Sequence, residues 1–196
     1  MWRIALLLTL LFVGCEGTPN VRSLPSPHPA ARAAADLPNA LHQRNWLGPK
    51  KQGSCVHASL VNHMRWLNMF EMGERWRKTY GDGEWDDQLR RRLDAANLDY
   101  VYTANSDPRF LDWASQTRRG AILWWKPSHC CTFEGFIVGK DGKEYAAVLD
   151  NNYPGKFEYH EREKFVRMWA GYGGFALSLI YEPASSLPYK SYEVVQ

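Results

Sequence analysis

Gln52-Gly53-Ser54-Cys55 ends a polar loop and stands directly before apolar residues at helical spacing. A cysteine mounted there opens a helix, where unpaired backbone N–H groups and the positive end of the helix dipole favour a thiolate. Such a nucleophile needs a base to handle its proton. Ser128-His129 supplies an imidazole at the head of a strand-like run, and Leu149-Asp150-Asn151-Asn152 ends the next such run with groups able to orient it. Strand alternation puts Asp150 and Asn152 on one face and Asn151 on the other. Asp150 is the favoured partner because its charge stabilises an imidazolium, and Asn151 is the alternative. His57 and His63 compete as bases, but His57 lies two residues past Cys55 and points elsewhere on the helix. His63 lies further along, away from the reactive end.

The elements that position these groups follow from periodicity. Val56, Leu60, Met64 and Leu67 predict a helix over residues 54–68 with Ser54 as its N-cap. Trp85, Leu89, Leu93 and Ala96 predict a second, with Asp86 and Asp87 in its first turn and Arg90, Arg91 and Arg92 mostly on its solvated side. A short strand over 100–103 follows, then a helix opened by Asp107-Pro108 that runs through Trp113 and stops before Gly120. Apolar runs at 121–125, 131–138 and 145–149 read as strands, and Gly139-Lys140-Asp141-Gly142-Lys143 has the composition of a hairpin. That hairpin makes the last two strands antiparallel neighbours and brings His129 and Asp150 together at their outer ends. A fourth helix over 161–169 and a strand over 175–181 complete an α+β domain, a nucleophile helix packed on an antiparallel sheet.

The chain has 196 residues, a net charge of +3 and no long basic block, so no nucleic-acid partner is expected. Cys130 and Cys131 alternate across a strand, which puts Cys131 on the face of His129. No second Cys-rich element completes a zinc ligand set, so neither metal nor cofactor is expected. The first residues carry an address: one positive charge at Arg3, an apolar run over 4–13 too short to span a bilayer, then Gly14-Cys15. Phe12-Val13-Gly14-Cys15 resembles a bacterial lipobox, with Phe12 where Leu is usual. It implies a signal peptide over 1–15, lipidation of Cys15 and a membrane held through that lipid, with secretion without lipid as the alternative. Residues 16–45, rich in Pro, Ala and Arg, read as a flexible tether. The folded domain is then 46–182, and 183–196 is a tail.

Over residues 45–181 the chain resembles the papain-like cysteine peptidase superfamily, and within it the bacterial C39-like peptidases. Gly53-Ser54-Cys55 resembles the nucleophile turn, His129 the histidine, and Leu149-Asp150 the acidic strand end. Phe165, Trp169 and Gly171-Tyr172-Gly173-Gly174 resemble the closing helix and returning strand. The resemblance implies attack on a peptide or peptide-like carbonyl, an acyl-enzyme and its release to water. Transamidation and cell-wall amide cleavage share that chemistry. The family places an oxyanion glutamine six residues before the nucleophile, where this chain has Pro49. Gln52, Gln43, Asn45 and the Cys55 backbone N–H are the replacement donors. A non-catalytic envelope lipoprotein that uses the scaffold for binding is the alternative function. Trp124, Trp125 and Tyr153 are candidates for the walls of a substrate groove.

Overall fold

The apolar run after His129 forms the longest strand, β3 (Cys130–Val138), and the chain turns through Gly139 and Gly142 into β4 (Glu144–Leu149) beside it. Gly142 takes a positive φ of 78°, and the Gly139 N–H donates to the Lys143 carbonyl at 2.8 Å. The register pairs Thr132 with Leu149, so His129 and Asp150 leave the sheet at the same edge. This computed structural model describes residues 37–182. The lipidation assigned to Cys15, most of the tether and the tail lie outside the described residues.

β1 (Tyr100–Thr103), β2 (Ala121–Trp124), β5 (Glu158–Glu161) and β6 (Ala176–Leu179) complete a six-stranded sheet in the order β1-β6-β2-β3-β4-β5. Every neighbouring pair is antiparallel. Side chains alternate across it and build two cores. Ile122, Cys130, Leu149 and Leu177 face helices α1 (Cys55–Trp66), α2 (Phe70–Thr79) and α3 (Asp86–Ala95). Leu123, Cys131, Phe133 and Val148 face α4 (Pro108–Gln116) and α5 (Arg162–Gly171). At the entry to β2, Gly120 takes φ 67°, and a Cβ there would stand 2.6 Å from the Phe133 carbonyl oxygen, so only glycine lets β2 and β3 close. The α+β class is therefore observed, with five helices against an antiparallel sheet. Among the described residues no helix is long and apolar enough to cross a membrane.

Three local expectations change. Ser54 occupies the position before α1 but does not cap it. Its hydroxyl instead accepts from the Trp46 N–H at 2.8 Å and donates to Asn45 Oδ1 at 3.0 Å. Arg92 is not merely solvated, because it pairs with the buried Glu84 carboxylate and its guanidinium lies over the Tyr80 ring. Residues 37–45, composed like a tether, pack on the body: Leu37 is in the core, and the Gln43 N–H donates to Asn62 Oδ1 at 2.6 Å. One buried leucine and local hydrogen bonds offset the ordering entropy that composition alone leaves unopposed.

Candidate active site

Cys55 is the first residue of α1 and half-buried, while His129 follows the tight Lys126-Pro127-Ser128 connection between β2 and β3. In that connection the Trp125 N–H donates to the His129 carbonyl at 3.0 Å, and both Lys126 and Ser128 adopt positive φ. Non-glycine residues held there carry local strain, which the surrounding hairpin must support. Lys126 gains a contact from it, since its Nζ reaches Asp150 Oδ2 at 3.2 Å.

Asp150 is 1% exposed, so its carboxylate needs compensation from every side. Oδ1 accepts from His129 Nε2 at 2.9 Å and from the Asn152 N–H at 2.9 Å. Burial alone pushes the Asp150 carboxyl up, but the His129 bond, the Asn152 N–H and Lys126 outweigh it and bring it down to about 2. The imidazole shows the converse. Burial disfavours its charge, yet hydrogen bonds to Asp150 and to the Cys55 thiol raise His129 to about 9. It is an imidazolium at neutral pH. With Nε2 committed to Asp150, Nδ1 is left to face the thiol.

The sheet turns Asn151 the other way. Its carboxamide nitrogen lies 3.0 Å from the Cys55 carbonyl, 2.8 Å from Ser59 Oγ and 2.8 Å from the Cys130 carbonyl, fully buried between α1 and β3. It fixes the helix to the sheet and does not orient His129. The rival histidines are also structural. His57 Nδ1 accepts from the Trp76 indole N–H at 3.1 Å, and burial with the nearby Arg92 charge lowers it to about 4. His63 Nε2 accepts from the Leu179 N–H at 3.0 Å, and burial lowers it to about 3.

Cys55 and His129 open on a cleft of about 760 Å³. Trp124, Tyr153, Trp85 and Tyr172 supply its aromatic walls, and Lys126 and Glu84 its further charges. Of the three aromatic candidates for the groove, Trp124 and Tyr153 line the cleft and Trp125 does not. It lies on the opposite face of the sheet, fully buried in the second core against Phe165. Trp85, Tyr172 and Lys126 come from three separate segments, and no local pattern marks them. Of the carboxamides weighed for the oxyanion, Asn45 and Gln52 line the cleft. Gln43 does not, because its amide turns to the Arg44 carbonyl.

Ligand atoms of His129, Cys131 and Asp150 lie within 4.8 Å of one another, on the shared face that alternation predicts. Asp150 in this trio already holds His129 and Lys126. Cys131 is fully buried, and burial pushes its thiol well above the ordinary range, so Cys55 is the thiol that meets the cleft. No protein-family model, curated protein sequence or solved structure matches the chain.

Proposed function

We propose that the protein is a papain-like, C39-like cysteine hydrolase that cleaves peptide or peptide-like amide bonds through Cys55, His129 and Asp150. The observation that carries this reading is their convergence on one open cleft: a helix-opening thiol, an imidazole charged at neutral pH, and a buried carboxylate 2.9 Å behind it. The Cys55 sulfur attacks the substrate carbonyl carbon as the thiolate of a thiolate–imidazolium pair, and the His129 imidazolium gives its proton to the departing amine. That leaves a thioester acyl-enzyme and a neutral imidazole. Neutral His129 then takes a proton from water as the water attacks the thioester, and the carboxylic acid leaves with Cys55 restored. Asp150 holds the imidazole orientation and balances its charge throughout. The Cys55 N–H at the helix start, with Gln52 of the cleft lining, provides donors for the oxyanion.

An amine replacing water at the second step gives transamidation by the same residues, and a cell-wall cross-link is an amide of the same kind. The lipobox-like end at Cys15 supports a place in a bacterial envelope, lipid-anchored or secreted. Cys15→Ser tests that part, and a Cys15→Ser protein that stays in the membrane fraction refutes the anchor. The catalytic reading is tested by iodoacetamide labelling of Cys55 at neutral pH, followed by a screen of peptides and peptidoglycan fragments with wild type and Cys55→Ala. Rapid labelling that is lost in His129→Ala, and turnover lost in Cys55→Ala, are expected. Labelling indifferent to His129, with no fragment cleaved, would leave a binding lipoprotein instead.

A further inference from the structure

The Asn45 side chain touches both halves of the site. Its Oδ1 accepts from the Ser54 backbone N–H at 2.7 Å and from the Ser54 hydroxyl at 3.0 Å. Its Nδ2 donates to Asn152 Oδ1 at 3.0 Å, and its backbone N–H donates to the Asn151 carbonyl at 2.8 Å. Ser54 immediately precedes the nucleophile. Asn152 is the residue whose N–H donates to the Asp150 oxygen that also accepts from His129. The carboxamide sits against bare backbone, since a Cβ on Gly53 would come within 3.3 Å of Nδ2.

We propose that Asn45 is a positioning residue that bridges Ser54 to Asn152 and so sets the nucleophile turn against the segment after β4 that carries Asp150, the partner of His129. The inference rests on reading Cys55 and His129 as the reactive pair. The thiol belongs to α1 and the imidazole to the β2–β3 connection, so no single element fixes their separation. A displacement of a few tenths of an ångström weakens a bond between them. An amide suits the task because it accepts on one side and donates on the other, and it carries no charge that would vary with pH. The far end of the bridge also reaches the imidazole. Asn152 Nδ2 lies 3.4 Å from His129 Nε2. While the proton on Nε2 is given to Asp150, this contact is a close approach rather than a bond. Without Asn45, Asn152 loses the partner that holds it there.

The test uses the full chain and iodoacetamide as probe, with Asn45→Ala, Asn152→Ala, the double variant and His129→Ala. The His129 titration is followed by NMR, and folding is followed by circular dichroism. Asn45→Ala should slow Cys55 labelling at neutral pH about tenfold and lower the His129 transition by about one pH unit, the two being the same interaction read twice. Asn152→Ala removes the bridge from its exposed end and should do likewise, and the double variant should be no slower than the slower single one. Ser54→Ala keeps the Ser54 N–H bond and spares the Asn152 arm, so it should leave the His129 transition in place. A folded Asn45→Ala protein with an unmoved transition overturns the proposal, as does a double variant slowed by the product of the two single effects. If Asn45→Ala does not fold, an unmoved transition in Asn152→Ala overturns it equally. Labelling as fast in His129→Ala as in wild type would sink the reactive pair itself, and the bridge with it.

Discussion

Asp150 Oδ1 accepts from His129 Nε2 at 2.9 Å, and the next residue, Asn151, buries its carboxamide against the Cys55 and Cys130 carbonyls on the other side. Two adjacent polar residues at one strand end thus serve opposite faces of the same junction. The first sets the charge on the imidazole. The second ties the nucleophile helix to the sheet.

Substituting them should separate the two roles. Asp150→Asn keeps the shape and removes the charge, so the His129 transition should fall from about 9 toward its ordinary value, and turnover should drop roughly 10²-fold or more. Asn151→Ala strips a donor from buried acceptors and should cost roughly 1–3 kcal/mol of stability while moving the His129 titration less than Asp150→Asn does. Urea unfolding and histidine NMR measure the two quantities side by side. A stability loss confined to Asp150→Asn, or a shifted imidazole only in Asn151→Ala, would reverse the assignment.

The cleft walls offer a different contrast. Trp85 and Tyr153 are 65% and 67% exposed, so their rings contribute little to folding, yet both face the cleft. Alanine at either position should change stability by no more than about 0.5 kcal/mol. KM for a cleaved peptide should rise roughly threefold to tenfold, the amount an aromatic contact contributes. Iodoacetamide is too small to reach either ring, so Cys55 labelling should be unaffected. An unchanged KM for every substrate would remove these residues from the binding surface.

How much of this was legible in the sequence depends on where each residue sits. Cys55, His129 and Asp150 each lie at the border of an element that periodicity marks, and the hairpin after β3 makes two of the borders coincide. Strand alternation also separates Asp150 from Asn151. The same parity sends Trp125, a candidate for the groove, to the second core with Leu123. Helix α2 has little apolar periodicity to mark it, because only Gly73 and Trp76 of its ten residues are buried. The edge strand β5, Glu158–Glu161, has no fully buried residue and so no apolar alternation to read. The choice among Asn45, Gln52 and Gln43 depends on the path of the loop before Cys55, and that path is set by tertiary bonds such as the Lys50 N–H to Asp82 at 2.9 Å.

The early boundary of the folded body carries its own consequence. Leu37 is 1% exposed in the core that also holds Phe157, so Leu37→Ala should cost about 2–3 kcal/mol, as other buried leucine truncations do. A change below about 0.5 kcal/mol, read from the urea midpoint, would return residues 37–45 to the tether.

The two buried histidines set the acid limit of the fold. His57 and His63 titrate at about 4 and about 3 in the native state, below the ordinary 6.5, because burial opposes their charged forms. Their folded values are depressed, so the stability they allow is fully present above 6.5 and is lost as pH falls through those native values. His129 and Asp150 do not contribute over the upper part of that window. His129 is raised, so its contribution is complete below 6.5 and is lost only as pH climbs through about 9, whereas that of Asp150 fades below its ordinary 3.8. Between pH 6.5 and about 4 each histidine should therefore cost up to about 1.4 kcal/mol per pH unit, offset in part by Glu84 and Asp112, whose carboxyls burial raises so that the fold takes up protons there. His63→Gln retains an acceptor for the Leu179 N–H at 3.0 Å but cannot be protonated, and it should remove the His63 share of that slope. Urea midpoints across the same pH range decide the matter, and a His63→Gln slope equal to that of wild type would mean that His63 is not held neutral by the fold.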